Sequence, residues 1–156
     1  MKNVLIDLRR RQLSAAGLSF LFLSACEATP MTVNLDVVLF SYLDRPIFDV
    51  YLNRIDIGVA GPWPYSGRGT MTGVQVPLGP QKISWRLGGP EGMVGNGQTV
   101  VGKNIPSLKE VPGRSAFLGV HIYADDTVEL IPSEHFPDVS ARGQEFDARW
   151  RQRRGQ

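Results

Sequence analysis

Apolar residues fall into two regimes along this chain. Residues 13 to 25 form one nearly continuous apolar run, diluted by Ser14, Gly17, Ser19 and Ser24, whereas from residue 33 onward the apolar positions recur with period two. Alternation of this kind sends successive side chains to opposite faces of an extended chain, so the second regime predicts half-buried strands. The first strand is "VNLDVVLFSYL", with Val33, Leu35, Val37 and Leu39 on one face. The segment "RPIFDVYLNRIDIGV" reads as a hairpin. A loop at Asn53 and Arg54 pairs Leu52 with Ile55, Val50 with Ile57 and Phe48 with Val59, all on one face. A type I′ turn requires positive φ at both loop positions, which arginine accepts poorly, so Arg54 is the weak point of that register.

Two further strands are predicted in "MTGVQVPLGPQKISWRL", joined by Leu78, Gly79 and Pro80, with Val74, Val76, Ile83, Trp85 and Leu87 facing inward. Residues 98 to 103 add a short strand. The clearest hairpin is "FLGVHIYADDTVELIP", with Ala124, Asp125 and Asp126 as a three-residue loop and Asp126 in the left-handed region that aspartate tolerates. Its register pairs Ile122 with Val128 and Val120 with Leu130 inside, and His121 with Glu129 and Tyr123 with Thr127 outside. Together these segments predict an all-β fold, an antiparallel immunoglobulin-like β-sandwich of six to eight strands with a short C-terminal helix. That helix covers residues 143 to 152, where Phe146 and Trp150 lie four apart and Glu145–Arg149 and Asp147–Arg151 are spaced for ion pairs. Such pairs contribute only about 0.2–0.5 kcal/mol each, so the helix needs docking to persist.

The apolar run near the start follows Lys2, Arg9, Arg10 and Arg11 and ends in small residues, the layout of a bacterial export signal. At thirteen residues it is too short to span a bilayer, which takes about 20. It stops at Cys26, the one cysteine in the chain, which excludes an internal disulfide. Leu23, Ser24, Ala25 and Cys26 resemble the lipobox of bacterial lipoproteins. The resemblance implies that Cys26 receives a diacylglyceryl group through sulfur, that a peptidase cuts before it, and that the new amino terminus is acylated, with palmitate as a typical chain. One acyl chain holds a protein only reversibly, so several are needed for a lasting anchor. Glu27 stands where retained inner-membrane lipoproteins typically carry aspartate, so the resemblance points to the periplasmic face of the outer membrane. Arg10, Arg11, Gln12 and Leu13 also resemble a twin-arginine signal, although Ser14 departs from it, and the export route stays open. The expected organisation is a cleaved signal peptide at 1–25, a lipidated tether at 26–32, a β-sandwich domain at 33–137, and a C-terminal helix and basic tail at 138–156.

Removing the signal changes the charge. The full chain is +2, but residues 26 to 156 hold thirteen basic and fourteen acidic residues, net −1. Residues 149 to 154 contain four arginines, which leaves −5 on residues 27 to 148. A body of that sign does not suit nucleic acid, which requires a basic face. The arginine-rich tail "RWRQRRGQ" suits either contact with anionic head groups or a frayed, solvated end.

Catalytic chemistry finds little support. The two histidines, His121 and His135, form no cluster of ligands, so no metal is expected. "GRSAF" at 113–117 approaches the G-x-S-x-G elbow, but Phe117 replaces the last glycine. "GPEGMVGNG" at 89–97 lacks the Lys and Ser/Thr of a phosphate-binding loop, and Asp125, Asp126 and Glu129 lack EF-hand spacing. No catalytic residue, cofactor or small-molecule substrate is therefore expected. The more informative stretch is "GPWPYSGRGTMTG" at 61–73. Trp63, Tyr65 and Arg68 are residue types enriched at binding hot spots, held between prolines that reduce the entropy lost on ordering. The same stretch reads first as a compact loop folded over one end of the sandwich with Trp63 in the core, and second as a partner-binding surface.

Beyond the signal, the order "DVYLNRIDIG", "VQVPLGPQKISWRL" and "LGVHIYADDTVELIPSEHFP" resembles a family of small proteobacterial lipoproteins of unassigned function. The chain departs from that pattern in lacking a mid-chain cysteine pair and in carrying Arg54 and Asp126 at usual glycine positions. Members are often encoded near type VI secretion lipase effectors, and some are thought to be immunity proteins. The resemblance implies a non-enzymatic, lipid-anchored protein that binds and neutralises a co-encoded phospholipase. The alternative expectation is a structural or assembly lipoprotein that binds another envelope component.

Overall fold

The computed structural model describes residues 31–64 and 68–155. The lipobox with Cys26 lies outside the described residues, as do most of the tether and Tyr65. Among the described residues, ten strands and one helix follow in chain order: β1 Thr32–Ser41, β2 Ile47–Leu52, β3 Ile55–Ala60, β4 Arg68–Pro77, β5 Gly79–Pro80, β6 Ile83–Leu87, β7 Thr99–Val101, β8 Ser107–Leu108, β9 Phe117–Ile122, β10 Val128–Ser133 and α1 Ala141–Arg154. Two four-stranded sheets, ordered β10-β9-β1-β4 and β3-β2-β6-β7, enclose the main core. The all-β sandwich that the alternation predicts is what the chain forms. Its pairings are antiparallel except for β1 with β9, which run parallel.

Val37 and Leu39 of β1, Val74 and Val76 of β4, and Leu118, Val120 and Ile122 of β9 meet Val50, Leu52, Ile57, Ile83 and Trp85 of the facing sheet. The β9–β10 hairpin takes the expected register, Ile122 opposite Val128 and Val120 opposite Leu130, with Asp126 at φ 64°. At the β2–β3 turn the positive φ falls on Asn53, at 56°, and Arg54 escapes the strain expected of it. Leu52 pairs with Ile55 as expected, Val50 faces Gly58 instead of Ile57, and Ile47 opposite Ala60 returns to the expected register but with its side chain inside. Positive φ at Asp49 and Gly58 accompanies these bulges, and past them the alternation changes parity. Phe48 and Val59, expected inside, therefore point outward at 38% and 51% exposure, while Ile47 and Ala60 take their places in the core.

The link at residues 78–80 is not a hairpin turn. β4 pairs with β1 and β6 pairs with β2 and β7, so this segment carries the chain from one sheet to the other. Within it β5 pairs with β8 as a small clip. Fully buried Gln81 secures the crossing: its amide nitrogen donates to the carbonyls of Pro77 (2.6 Å) and Gly79 (3.0 Å), and its oxygen accepts from Asn53 Nδ2 (2.7 Å). Where β4 passes β3, Gly69 lies so close to the Val59 carbonyl that a Cβ would collide with it, which is why the chain needs glycine at that contact.

Removing the Gln81 side chain leaves two carbonyls and one amide without these partners. Gln81→Ala should lower stability by about 2 kcal/mol, read as a lower urea midpoint at unchanged m-value. An unchanged midpoint would mean that water replaces the amide without penalty.

Candidate functional site

The outer face of the β1 sheet is where the sequence expectation and the structure part most clearly. Val38, Phe40 and Tyr42 alternate with the inward residues of β1 and are themselves buried. With Tyr123 they form a second apolar cluster, against which Trp63, Phe117, Val139 and Phe146 pack. His121 and Tyr123, expected to face outward, lie on this covered side at 0% and 2% exposure. Their expected strand partners are kept: His121 pairs with Glu129, and the Tyr123 N–H donates to the Thr127 carbonyl at 2.9 Å.

The cover is built locally by a capped helix. Ser140 is extended and its Oγ accepts from the Gly143 N–H at 3.0 Å, while Gly155 at φ 68° closes the other end. The helix therefore starts two residues before and ends two after the predicted span. Asp147 and Arg151 form the expected ion pair, whereas Arg149 turns its Nε to the Glu145 carbonyl and the Glu145–Arg149 ion pair is not made. Gly143 packs directly on the Tyr42 hydroxyl, leaving no room for a Cβ.

Beneath α1 the polar atoms form two short networks. Gly143 N–H donates to Ser140, the Ser140 and Tyr123 hydroxyls lie 2.6 Å apart, and Tyr123 donates to Glu129 Oε2 at 2.6 Å. Burial pushes the Tyr123 phenol well above its ordinary value, and the hydrogen bond to the Glu129 carboxylate pushes the same way. Tyr42, also raised by burial, places its hydroxyl 3.0 Å from His121 Nδ1. The His121 ring stacks on Phe40 at 4.4 Å, and burial lowers its pKa to about 4. Such a histidine is neutral at physiological pH and enclosed. Tyr42 and Tyr123 stack at 4.9 Å, with Arg142 3.8 Å above the Tyr123 ring. The Thr127 hydroxyl, with smaller help from Arg142, holds the Asp125 carboxyl below its ordinary value.

Of the sequence-predicted contact residues, Trp63 is half-buried against Tyr42, with ring centroids 4.9 Å apart, and its backbone N–H donates to the Leu43 carbonyl at 2.8 Å. Arg68 is exposed at the start of β4, its guanidinium 5.1 Å from the Phe40 centroid. The fold thus brings both to the outer face of β1, on neighbouring aromatic rings. Tyr65 is outside the described residues. On either side of Phe146, α1 leaves a groove against the body, of about 660 and 610 Å³. Arg142, Arg149 and Arg153 line the first and Arg153 and Arg154 the second. Sequence reasoning missed these grooves because the arginines read as a tail. No three His, Cys, Asp or Glu side chains gather to hold a metal among the described residues. Comparison with protein families, curated proteins and solved structures finds no match for this chain.

The buried imidazole sets a pH dependence. Its folded pKa lies below the ordinary 6.5, so between pH 6.5 and about 4 the unfolded chain binds a proton that the folded chain refuses. Stability is fully present above that window and falls as pH drops through it, by an amount on the order of 3 kcal/mol. Melting curves across the window should show this fall in the native chain and a smaller one in His121→Phe; equal slopes would assign the effect elsewhere. Trp63→Ala should destabilise by about 2 kcal/mol through lost packing on Tyr42, in chemical denaturation. Unchanged stability with weakened partner affinity would instead make Trp63 a contact residue alone.

Proposed function

We propose that this chain is a lipid-anchored envelope protein that binds and neutralises a protein partner, without catalysis of its own. Cys26 carries the lipid and places the domain at the periplasmic face of the outer membrane. The partner is a phospholipase effector of type VI secretion, encoded nearby, whose active site the sandwich covers before it reaches lipid. Export signal, lipobox and the resemblance to the lipoprotein family support the anchoring and the partner. The observation that carries binding is the layer over β1, where Trp63, Arg68 and the arginines of α1 converge on one aromatic face.

A structural or assembly lipoprotein is the second reading. The exposed apolar residues Phe48, Tyr51 and Val59 on the outer face of β2 and β3 favour it, since they give another envelope protein a surface to pack on.

Cys26→Ala should remain an uncleaved precursor that takes up no labelled palmitate and is lost from outer-membrane fractions; normal membrane retention would refute lipidation. Tagged full-length protein, recovered from native membranes of cells carrying the neighbouring genes, should bring down a co-encoded lipase whose activity falls in the complex. Recovery of resident envelope proteins alone, with no effect on lipase activity, would favour the second reading.

A further inference from the structure

The two grooves beside α1 share Phe146 and Arg153, and together they form one basic, partly apolar surface. Four arginines, Arg142, Arg149, Arg153 and Arg154, face two acidic groups there, Asp44 and Asp125. Asp125 is already held by Arg142 at 2.7 Å. Arg149 and Arg153 form no ion pair among the described residues, and they stand four apart on one helix face, where like charges repel by a few tenths of a kcal/mol. The fold thus keeps two adjacent cations at the groove wall without neutralising them, although the rest of the mature body is acidic.

The position of the surface selects among anions. α1 packs on Tyr42, just past the Ser41 end of β1, whereas the tether enters at Thr32. Ten residues of strand separate these ends, a span of about 33 Å at roughly 3.3 Å per residue. The groove thus lies at the end of β1 opposite to Thr32, where the chain from Cys26 enters the strand. A protein in the periplasm reaches the groove directly, whereas lipid reaches it only if the domain lies down along its tether.

We propose that this groove is the docking site for an acidic segment of the partner protein, whose carboxylates pair with Arg149 and Arg153 while an apolar side chain packs on Phe146. This deepens the binding reading given above and rests on it. Arginine presents a planar fork of donors that engages carboxylates in two parallel bonds, so it selects such a segment by geometry as well as by charge.

The test places a photo-crosslinking residue at Gln152, in the wall of the first groove, in the full-length chain, in cells carrying the neighbouring genes. In parallel, a fluorescein-labelled peptide of alternating glutamate and leucine is titrated against the purified full-length chain in detergent. The expected result is a crosslink to a protein through an acidic segment. Peptide affinity should be about tenfold or more weaker in Arg149→Glu/Arg153→Glu, with an unchanged melting temperature, and steeply salt-dependent in the native chain. A crosslink to lipid, or to a neutral segment, overturns the proposal. So does peptide binding that is indifferent to the double reversal. Recovery of a partner by pull-down without a Gln152 crosslink rejects this groove and leaves the binding reading intact, whereas recovery of no protein by either route rejects both.

Discussion

Burial of β1 on both faces is the constraint from which the rest of this structure follows. Its inward side chains, Val37 and Leu39, complete the core between the sheets, and its outward ones, Val38 and Phe40, continued by the Tyr42 ring just past its end, are buried as well. An outer sheet face bearing two aromatic rings cannot be left in water without losing most of the stabilisation that burying large side chains supplies, roughly 1.5–3 kcal/mol each. The fold therefore needs a third layer. Trp63 on the β3–β4 connection and Phe146 on α1 provide it, and each touches Tyr42 directly. A helix of fourteen residues with four arginines near its end has little reason to form alone. It persists because Tyr42 and Tyr123 need a cover.

That dependence explains which parts of the architecture could be read from the sequence. The β9–β10 hairpin was legible because a local rule sets it: Asp126 accepts the left-handed turn, and the paired apolar residues share one parity. The crossing at residues 78–80 was not. A three-residue link containing Gly79 fits a hairpin as well as it fits a passage between sheets. Only the partners of β4 and β6, which lie far away in sequence, distinguish the two. The bulges at Asp49 and Gly58 reversed Phe48 and Val59 for a related reason, since one extra residue changes the face of everything beyond it.

The candidate site was less legible than the fold, and the failure lies in how polar aromatics are read. His121 and Tyr123 looked outward because imidazole and phenol score as polar and because Glu129 and Thr127 stood opposite. Burial was open to them once Tyr42 supplied a hydroxyl near His121 Nδ1, and Ser140 and Glu129 took the Tyr123 hydroxyl. A signal was present in the run from Val37 to Phe40, apolar at every position, which is the pattern of a strand covered on both sides. Trp63 and Arg68 were found because their types stand out in a loop. Their convergence on Tyr42 and Phe40 needed the third dimension.

The helix divides its labour along its length. Ser140, Arg142, Gly143 and Phe146 attach the first half to the body through a cap, a ring contact and the Asp125 pair. The arginines of the second half also suit the negative end of the helix dipole, a local stabilisation of about 0.3–1 kcal/mol at an exposed site. That benefit, with the Asp147 ion pair at Arg151, gives Arg151, Arg153 and Arg154 a local role in the last turn. It falls off within one turn and so does little for Arg149. Arg149 instead stands beside Arg153 on the groove wall, where the pair repels and the body offers no ion-pair partner among the described residues. Helix stability therefore explains the basic end of α1 but not the side on which the charge gathers. What distinguishes that side is the apolar ring of Phe146 between two open grooves, at the end of β1 opposite to Thr32. Charge next to an accessible apolar surface is the composition that the proposed docking requires, since arginine and aromatic residues are enriched among the hot spots of protein contacts.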